Sequence, residues 1–258
     1  AFRNEITPGN FIFRTLEFDL MGFEYFVRKE EWEKYFDYWL EEMKKWLSVA
    51  GIDAKRTRVR EHTKDELSHY SSKTVDIEFD TPFGWKELYG LAYRSDFDLS
   101  NHEKHSGKEL KYHDAEKNEK FVPHVLEPTF GLSRSVLMVL FSAYYEEKVK
   151  DADGKEETRV VLRFNKNIAP YRAAVFPLVN KLNDEAKKIW DKIKGFGNID
   201  FDTSGSIGKR YRRHDEIGTP CCITVDFDTL EDGMVTIRDR DTMKQERVKI
   251  EDLEGKLK

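Results

Sequence analysis

The sequence has almost no cysteine: Cys221 and Cys222 are its only two among 258 residues, and they are adjacent. Neighbouring cysteines do not form an ordinary structural disulfide with each other, and the chain offers no other partner. This scarcity argues against a secreted protein built on disulfides and against a structural zinc site of several cysteines. The segment with His102, His105 and His113 does not match the HExxH spacing, so no metal site is expected there.

Long apolar runs and a targeting signal are also missing. No apolar stretch approaches the roughly 18 residues of a membrane-spanning helix. No signal-peptide pattern opens the chain, so a cytoplasmic location is expected. The net charge of −5 excludes a uniformly basic nucleic-acid-binding protein, but the 36% of charged residues leave room for a local basic patch. With 18 Phe, 11 Tyr and 5 Trp, the chain has enough apolar side chains for one large domain or two ordinary ones.

Hydrophobic spacing predicts the main elements of the first half. Apolar and aromatic residues recur every three or four positions from Trp32 to Leu47, which predicts an amphipathic helix that ends at Gly51. Two alternating runs predict strands over residues 74–80 and 86–94, with a Pro-Phe-Gly turn between them. The aromatic face of the helix is therefore expected to lie in the core.

Other segments predict how the chain is divided. A capping-box pattern predicts a short helix over 63–69, the polar stretch 100–121 predicts a loop, and an apolar run predicts a helix from about Ser133. The charged stretch KVKDADGKEETR contains a glycine and indicates a domain boundary, giving domains 1–152 and 153–258. Beyond it, strands alternate with helices over about 100 residues, which is typical of a small α/β domain.

The strand-like segment RTLEFDLMGFEYF, residues 14–26, carries a glycine in its middle. Alternation places Gly22 and Glu24 on one face and Met21 and Phe23 on the other. A glycine inside a strand indicates a bulge, or a close approach by a ligand or another backbone. From the residues alone, we expect a bulge at Gly22.

Acidic residues and arginines lie on or beside the predicted strands. Same-face residues of neighbouring strands converge on one surface, where buried charges need partners. One interpretation is a set of structural ion pairs. The other is a polyanion site, because arginines bind phosphates and carboxylates hold magnesium or an ammonium group. Spacing alone leaves both open for Arg3, Glu5, Arg14, Glu17, Glu24, Glu87, Arg94, Glu127 and Arg134.

The stretch DTSGSIGKRYRRHDEIGTP joins a flexible turn to a basic helix start. Lys209, Arg210, Arg212 and Arg213 follow its serines and glycines, and Tyr211 lies between them. Backbone amides at a helix start and clustered arginines suit phosphates or an RNA backbone. The spacing does not match a P-loop. A solvated basic face is the alternative interpretation.

Several blocks of the sequence resemble one enzyme family. FRNEITPGNFIFRTLEFDLMGFEYF resembles the second signature motif of class II glycyl-tRNA synthetases, and PFGWKELYGLAYRSDFDLSNHEKHSGKEL resembles the next block. LEPTFGLSR resembles the third motif. DTSGSIGKRYRRHDEIGTP and TVDFDTLEDGMVTIRDRDTMKQERV resemble the anticodon-binding domain. The resemblance implies an α/β fold: an antiparallel class II sheet with flanking helices, followed by a smaller mixed-sheet anticodon-binding domain.

The resemblance also implies a chemistry: activation of glycine with ATP and Mg²⁺, then transfer of glycine to its tRNA. Arg3 and Arg134 would be the catalytic residues and hold phosphates, Phe18 would stack on adenine, and Glu87 would lie near the phosphates and Mg²⁺. The implied ATP-binding residues are Arg3, Asn4, Glu5, Phe13, Arg14, Phe18, Glu87, Leu88, Gly131 and Arg134. The implied glycine-binding residues are Met21, Gly22, Arg94, Glu127 and Thr129, with Arg94 on the carboxylate and Glu127 on the ammonium. The implied tRNA-binding residues are Lys209, Arg210, Arg212 and Arg213.

The sequence departs from the family pattern around the amino-acid pocket. Leu16 stands where the family usually has arginine, Leu20 where it has glutamine, and Gly22 where it has a glutamate that binds the glycine ammonium. Thr129 replaces a serine, and its methyl group is expected to crowd the pocket. Lys86 occupies a position that is commonly glycine.

The first signature motif of the family does not occur in this sequence. We expect either a piece of a longer or split enzyme that acts with an N-terminal partner chain or as a homodimer, or a relative that lost its upstream part. Three functions follow as alternatives. They are a glycine–tRNA ligase, an impaired paralogue that binds tRNA or serves as an accessory protein, and a ligase for a different small substrate.

Overall fold

The computed structural model describes residues 1–150 and 154–257. Its contacts divide the chain into two compact units, Ala1–Phe141 and Ser142–Lys258. The predicted domain boundary, between residues 152 and 153, lies outside the described residues. The strands that flank it, Tyr144–Lys150 and Glu156–Leu162, pair with each other in an antiparallel hairpin of the second unit.

The first unit is built on a six-stranded antiparallel sheet in the order β1-β8-β5-β4-β3, with β2 also paired to β8. A small hairpin, β6-β7, lies outside this sheet. The strands are β1 (Leu20–Gly22), β2 (Tyr25–Val27), β3 (Thr57–Glu61), β4 (Lys73–Thr81), β5 (Gly84–Ser95), β6 (Tyr112–Asp114), β7 (Glu119–Phe121) and β8 (His124–Gly131). The helices are α1 (Trp32–Val49), α2 (Phe97–Ser106) and α3 (Leu132–Ala143).

The helix predicted from the aromatic stripe is confirmed as α1. Its residues Phe36, Met43 and Leu47 are buried in the core against the sheet. The ring of Trp39 contacts Phe23, with centroids 5.3 Å apart, and lies 5.5 Å from the ring of Tyr25. Residues 23 and 25 therefore face the helix, as the alternation in this segment predicts. The two predicted strands and the helix near Ser133 are also present, as β4, β5 and α3.

The strand that contains Gly22 has no bulge, so this expectation is wrong. Gly22 lies opposite Thr129 and Tyr25 lies opposite Leu126, which continues one register from β1 to β2. The two strands are separated where Phe23 lies opposite Pro128, whose nitrogen carries no hydrogen to donate. The amide of Phe23 still donates to the carbonyl of Pro128 at 3.1 Å. The glycine therefore needs another explanation than a change of register.

Two secondary-structure predictions in this unit are wrong. Residues 63–69 form turns, although the amide of Thr63 donates to the Glu66 carboxylate at 2.9 Å as in a capping box. So short a segment gains too few backbone hydrogen bonds to form a helix. Residues 100–121 are not a loop, because they contain the end of α2 and the hairpin β6-β7. No residue of α2 is fully buried, so its apolar pattern is weak in the sequence.

The second unit is the predicted small α/β domain. Its five-stranded sheet has the order β12-β11-β13-β14-β15, in which β11 pairs in parallel with β12 and β13 and the remaining pairs are antiparallel. Helix α5 contacts one face of this sheet and helices α4 and α7 cover the other. The strands are β9 (Tyr144–Lys150), β10 (Glu156–Leu162), β11 (Ala173–Pro177), β12 (Ile199–Phe201), β13 (Cys221–Val225), β14 (Met234–Asp239) and β15 (Gln245–Lys249). The helices are α4 (Asn183–Ile193), α5 (Ile207–Ile217), α6 (Thr229–Asp232) and α7 (Leu253–Leu257).

A buried charge network ties the β9-β10 hairpin to α5 and the sheet. The Asp215 carboxylate of α5 accepts a hydrogen bond from Arg159 Nε at 2.8 Å and two from Arg238, at 2.9 and 3.1 Å. Burial alone would raise the pKa of Asp215, but the bonds from Arg159 and Arg238 hold it below its ordinary value. The carboxylate therefore stays ionised between two buried guanidinium groups.

No helix in residues 1–150 and 154–257 is long and apolar enough to cross a membrane.

Candidate active site and nucleic-acid interface

One open pocket of the first unit gathers nearly all the residues that the resemblance implies for ATP. It lies between the N-terminal segment and the strands β1, β5 and β8. Nine of the ten implied residues line it, and only Asn4, which is exposed, does not. The nine are Arg3, Glu5, Phe13, Arg14, Phe18, Glu87, Leu88, Gly131 and Arg134.

Arg134, in the first turn of α3, is held at one side of this pocket. Its Nη1 donates to the backbone carbonyl of Glu87 at 3.0 Å and lies 3.3 Å from the Glu87 carboxylate. Its guanidinium carbon lies 4.6 Å from the centre of the Phe13 ring. A cation fixed over an aromatic ring and beside one carboxylate can exchange that carboxylate for a phosphate group.

The N-terminal segment also lines the pocket. Arg3 lies 5.2 Å from the centre of the Phe18 ring, and Arg14 Nε donates to the Glu5 carboxylate at 2.7 Å. The amide of Arg3 donates to the carbonyl of Leu16 at 2.9 Å, which holds this segment beside the strand region that leads to β1. The pocket therefore offers aromatic surface together with guanidinium groups, as a nucleotide phosphate requires.

The implied glycine-binding residues occupy the face of the sheet that is turned away from α1. Thr129 lies between Gly22 on β1 and Gly90 on β5, so three adjacent strands place small side chains in one row. Thr129 also lines the pocket described above, which connects the two residue sets. Met21 is an exception: it pairs with Phe130, whose ring packs against Tyr89 on the other face. The side chain of Met21 therefore does not share a face with Gly22 and Thr129.

Arg94 and Glu127 form an ion pair at this site. Arg94 Nη1 donates to the Glu127 carboxylate at 2.7 Å. Glu24 lies close enough to interact electrostatically with both, and its pKa is raised by burial and by the charge of Glu127. Asp98 adds a third carboxylate, which accepts hydrogen bonds from Arg94 Nε at 2.7 Å and from Nη2 at 3.0 Å. Three carboxylates around one guanidinium leave an excess of acidic groups over basic ones here.

Sequence reasoning missed two carboxylates in this region. Asp98 lies in α2, for which the sequence predicted no helix. Asp76 on β4 is buried and hydrogen-bonded to His62 Nε2 at 2.7 Å, and burial raises its pKa although the bond from His62 opposes this. A Cβ on Gly90 would lie 3.9 Å from oxygens of both Asp76 and Glu87. The spacing of four residues between Arg94 and Asp98 was a sequence signal for Asp98 alone.

In the second unit, the basic stretch forms the first turns of α5, with Ser206 as its N-cap. Lys209 is exposed, so its ammonium group is available to a ligand. Arg213 and Arg212 are paired with Asp202 and Glu157, respectively.

Arg210 differs from its neighbours because its side chain is buried. Its guanidinium donates to the carbonyl of Gly205 at 2.8 Å and to that of Pro177. Only 2% of the residue is exposed. Burial lowers the pKa of Arg210, and its hydrogen bonds hold the turn before α5 against the end of β11. Arg210 therefore has a structural position that the sequence interpretation as an RNA contact did not anticipate.

Known proteins resemble the chain over nearly its whole length. Residues 172–258 match the family model of the anticodon binding domain. The glycine–tRNA ligase of Staphylococcus haemolyticus is 53% identical over 254 residues, which are 98% of this chain and 54% of the relative. The glycine–tRNA ligases of Alkaliphilus metalliredigens and Staphylococcus aureus are 52% and 51% identical, over 98% and 100% of this chain and 54% and 55% of their own lengths.

The chain spans about half the length of these curated relatives. The matched region is their C-terminal half. The antiparallel sheet followed by a mixed-sheet unit agrees with the fold that the resemblance implies. The chain is therefore a protein related to the class II glycyl-tRNA synthetases, with an anticodon binding domain in its second unit.

Proposed function

We propose that the chain carries the nucleotide and amino-acid sites of a glycine–tRNA ligase, which activates glycine with ATP and transfers it to tRNA. The observation that carries this proposal is the common pocket: nine of the ten implied ATP-binding residues line it, together with Thr129 of the implied glycine site. Because tRNA charging supplies translation, the proposal includes a cytoplasmic location.

The proposed mechanism depends on placement and charge. Arg134 and Arg3, which both line the pocket, bind the phosphates, and Phe18 supports the adenine ring. The ion pair of Arg94 and Glu127 receives the glycine zwitterion, with its carboxylate on Arg94 and its ammonium on the acidic groups. Attack of the glycine carboxylate on the α-phosphate forms glycyl-adenylate as the bond to the β-phosphate breaks and pyrophosphate leaves. This step needs little more than alignment and neutralisation of charge.

Magnesium would be held at Glu87. This carboxylate lines the pocket, and about half of its side chain is exposed beside Arg134. Mg²⁺ in phosphate sites is commonly bound by one or two protein carboxylates together with the substrate phosphates, so this donor fits. The ion would supply neutralisation of phosphate charge, while Arg134 keeps its bond to the Glu87 carbonyl.

For tRNA, we propose contacts from Lys209, Arg212 and Arg213 on α5. Arg210 is left out because its guanidinium is committed to backbone carbonyls. Filter binding of glycine tRNA across a salt series tests this surface. Lys209→Ala should reduce the salt slope by about one, because one phosphate contact is lost. An unchanged slope for the triple variant of Lys209, Arg212 and Arg213 would contradict the proposed surface.

The test of the enzyme proposal is ATP–pyrophosphate exchange with glycine. It is run with the chain alone and with an added protein that corresponds to the other half of a curated relative. Arg134→Ala should abolish exchange, and Lys104→Ala on the exposed side of α2 serves as the control. The absence of exchange in both settings would refute the enzyme proposal.

The alternative function is an impaired paralogue that binds tRNA as an accessory protein. The observation that favours it is that position 22, directly opposite Thr129, is a glycine where the resemblance implies a glutamate. It predicts tRNA binding in the filter assay without glycine-dependent exchange. The same two assays therefore distinguish the alternatives.

A further inference from the structure

Arg94 is held on three sides by groups of the first unit. Its Nε and Nη2 donate side by side to the two oxygens of Asp98, at 2.7 and 3.0 Å. Its Nη1 donates to Glu127 at 2.7 Å, and its guanidinium carbon lies 4.0 Å from the centre of the Tyr70 ring. A planar guanidinium with one edge paired and one face covered has little rotational freedom left.

The backbone also fixes where Arg94 lies. The register of β5 against β8 is irregular between Tyr93 and Ser95, and Ser95 has a φ of 51°. An irregular register changes the direction of a side chain from the regular alternation of a strand. The residue between the two irregular positions is Arg94. The chain then enters α2 at once, which brings Asp98 back beside Arg94.

Asp98 is well placed to stay ionised. It lies in the first turn of α2, where the partial positive charge of a helix start favours a carboxylate. Hydrogen bonding from Arg94 lowers the pKa of Asp98, and the nearby His102 and His69 add to this. Arg94 and Asp98 therefore form a lasting ion pair rather than an occasional contact.

We propose that Asp98 is a positioning residue for amino-acid binding: it holds Arg94 by one edge and so keeps Glu127 and Glu24 available to the amino group of the substrate. This inference rests on the proposed glycine site and adds a residue to it. Arg94 neutralises one of three carboxylates. With Asp98 removed, the Arg94 guanidinium would interact with Glu127 and Glu24 alone. It would then compete with the substrate ammonium for these two carboxylates.

The experiment compares Asp98→Asn, which keeps size and removes charge, with Asp98→Glu, which keeps charge. Glu103→Gln is the matched control, because it makes the same charge change on the same helix and has no contact with Arg94 among those described. Glycine binding is measured by titration calorimetry on the full chain, with and without ATP. In parallel, ¹⁵N-arginine NMR follows the Nε–H signal of Arg94, and urea unfolding gives the stability of each variant.

We expect Asp98→Asn to weaken glycine binding by about tenfold or more, with ATP binding and the unfolding midpoint little changed. Asp98→Glu should recover part of the affinity, and Glu103→Gln should behave as the unchanged chain. The Arg94 Nε–H signal should shift or broaden only in the Asp98→Asn variant.

If the unchanged chain binds glycine and Asp98→Asn binds it equally well, the positioning role is refuted and the proposed function stands. If Asp98→Asn loses binding only together with a lowered unfolding midpoint, Asp98 is structural and the inference fails. If the unchanged chain binds no glycine in either setting, the proposed glycine site fails. The NMR signal then still decides whether Asp98 holds Arg94: a signal unaffected by Asp98→Asn refutes that as well.

Discussion

Gly22→Glu should restore a carboxylate to the proposed glycine site. The structure permits the substitution: Gly22 is exposed, it is not in the left-handed region, and the nearest atom to an added Cβ is Leu20 Cδ1 at 3.9 Å. The new side chain would rise from the strand directly opposite Thr129, on the same face as Glu24 and Glu127. The fold should accept it, since a glycine in a strand costs about 0.5–1 kcal/mol relative to alanine.

The expected gain follows from the contact that is restored. A charge-assisted hydrogen bond to an ammonium contributes about 1.5–3 kcal/mol, and the exposure of position 22 favours the lower value. That corresponds to roughly tenfold tighter glycine binding. The new charge also repels Glu24 and Glu127, by about 0.6 kcal/mol each at about 7 Å in water. This repulsion lowers the stability of the free protein and is relieved when the ammonium binds, so it does not offset the gain.

Titration calorimetry of glycine into the full chain measures the effect, and Gly22→Gln is the matched control. Both variants add a side chain of the same length, but only the glutamate adds charge. The reasoning predicts tighter binding for the glutamate and no improvement for the glutamine. Equal affinities for the two variants, or weaker binding for both, would refute the view that position 22 faces the amino group.

Three further predictions concern stability. Asp215→Asn should destabilise the chain by about 3–5 kcal/mol in urea unfolding, because Arg159 and Arg238 would stay buried without their carboxylate. Glu216→Gln, at the exposed neighbouring position, should have little effect. A small loss of stability for both variants would contradict the buried network. Gly218→Ala should cost about 2–4 kcal/mol, because φ is +85° and the new Cβ would contact the Phe164 ring and lie 2.8 Å from the Leu162 carbonyl. Gly233→Ala, at a φ of +65° with open space around it, should cost only about 1 kcal/mol, and equal costs at the two glycines would argue against the close approach. The Thr63 amide and Arg60 hold the pKa of Glu66 at about 2, below the ordinary 4.5, so its stabilisation is present above pH 4.5 and is lost as the pH falls toward 2. Thermal unfolding should therefore separate the unchanged chain from Glu66→Gln at pH 6 and not at pH 2.

Sequence reasoning succeeded where burial is periodic. The stripe of α1 repeats every three or four residues because one face meets the core, and this alone predicts the helix. Helix α2 was missed because it buries no residue fully and is held by polar contacts such as that of Ser100 with Asp96, at 2.8 Å. Contacts of this kind leave no hydrophobic period in the sequence.

In the candidate site, too, sequence patterns identified some residues and missed others. Motif resemblance identified residues that line one pocket, but it gave no signal for Asp98, whose role depends on a helix that the pattern did not reveal. The bulge expected at Gly22 is absent from the structure. A glycine allows unusual backbone conformations, but its presence in the sequence does not show that the backbone adopts one. Arg210 could have been recognised from helical spacing, since it shares a face with the buried His214 four residues later.

The register that places Gly22 beside Thr129 also has a consequence for folding kinetics. The strands β4 and β5 are joined by a tight turn and can pair early, whereas β1 and β2 must find β8 across roughly 100 residues of chain. Closing a loop of that length costs about 4 kcal/mol of chain entropy before any contact compensates for it. Pairing of this kind forms late in folding. The proposed glycine site lies where β1 and β2 pair with β8, so an amide-exchange experiment that detects protection at Phe23, whose amide donates to the Pro128 carbonyl, reports the completion of the first unit.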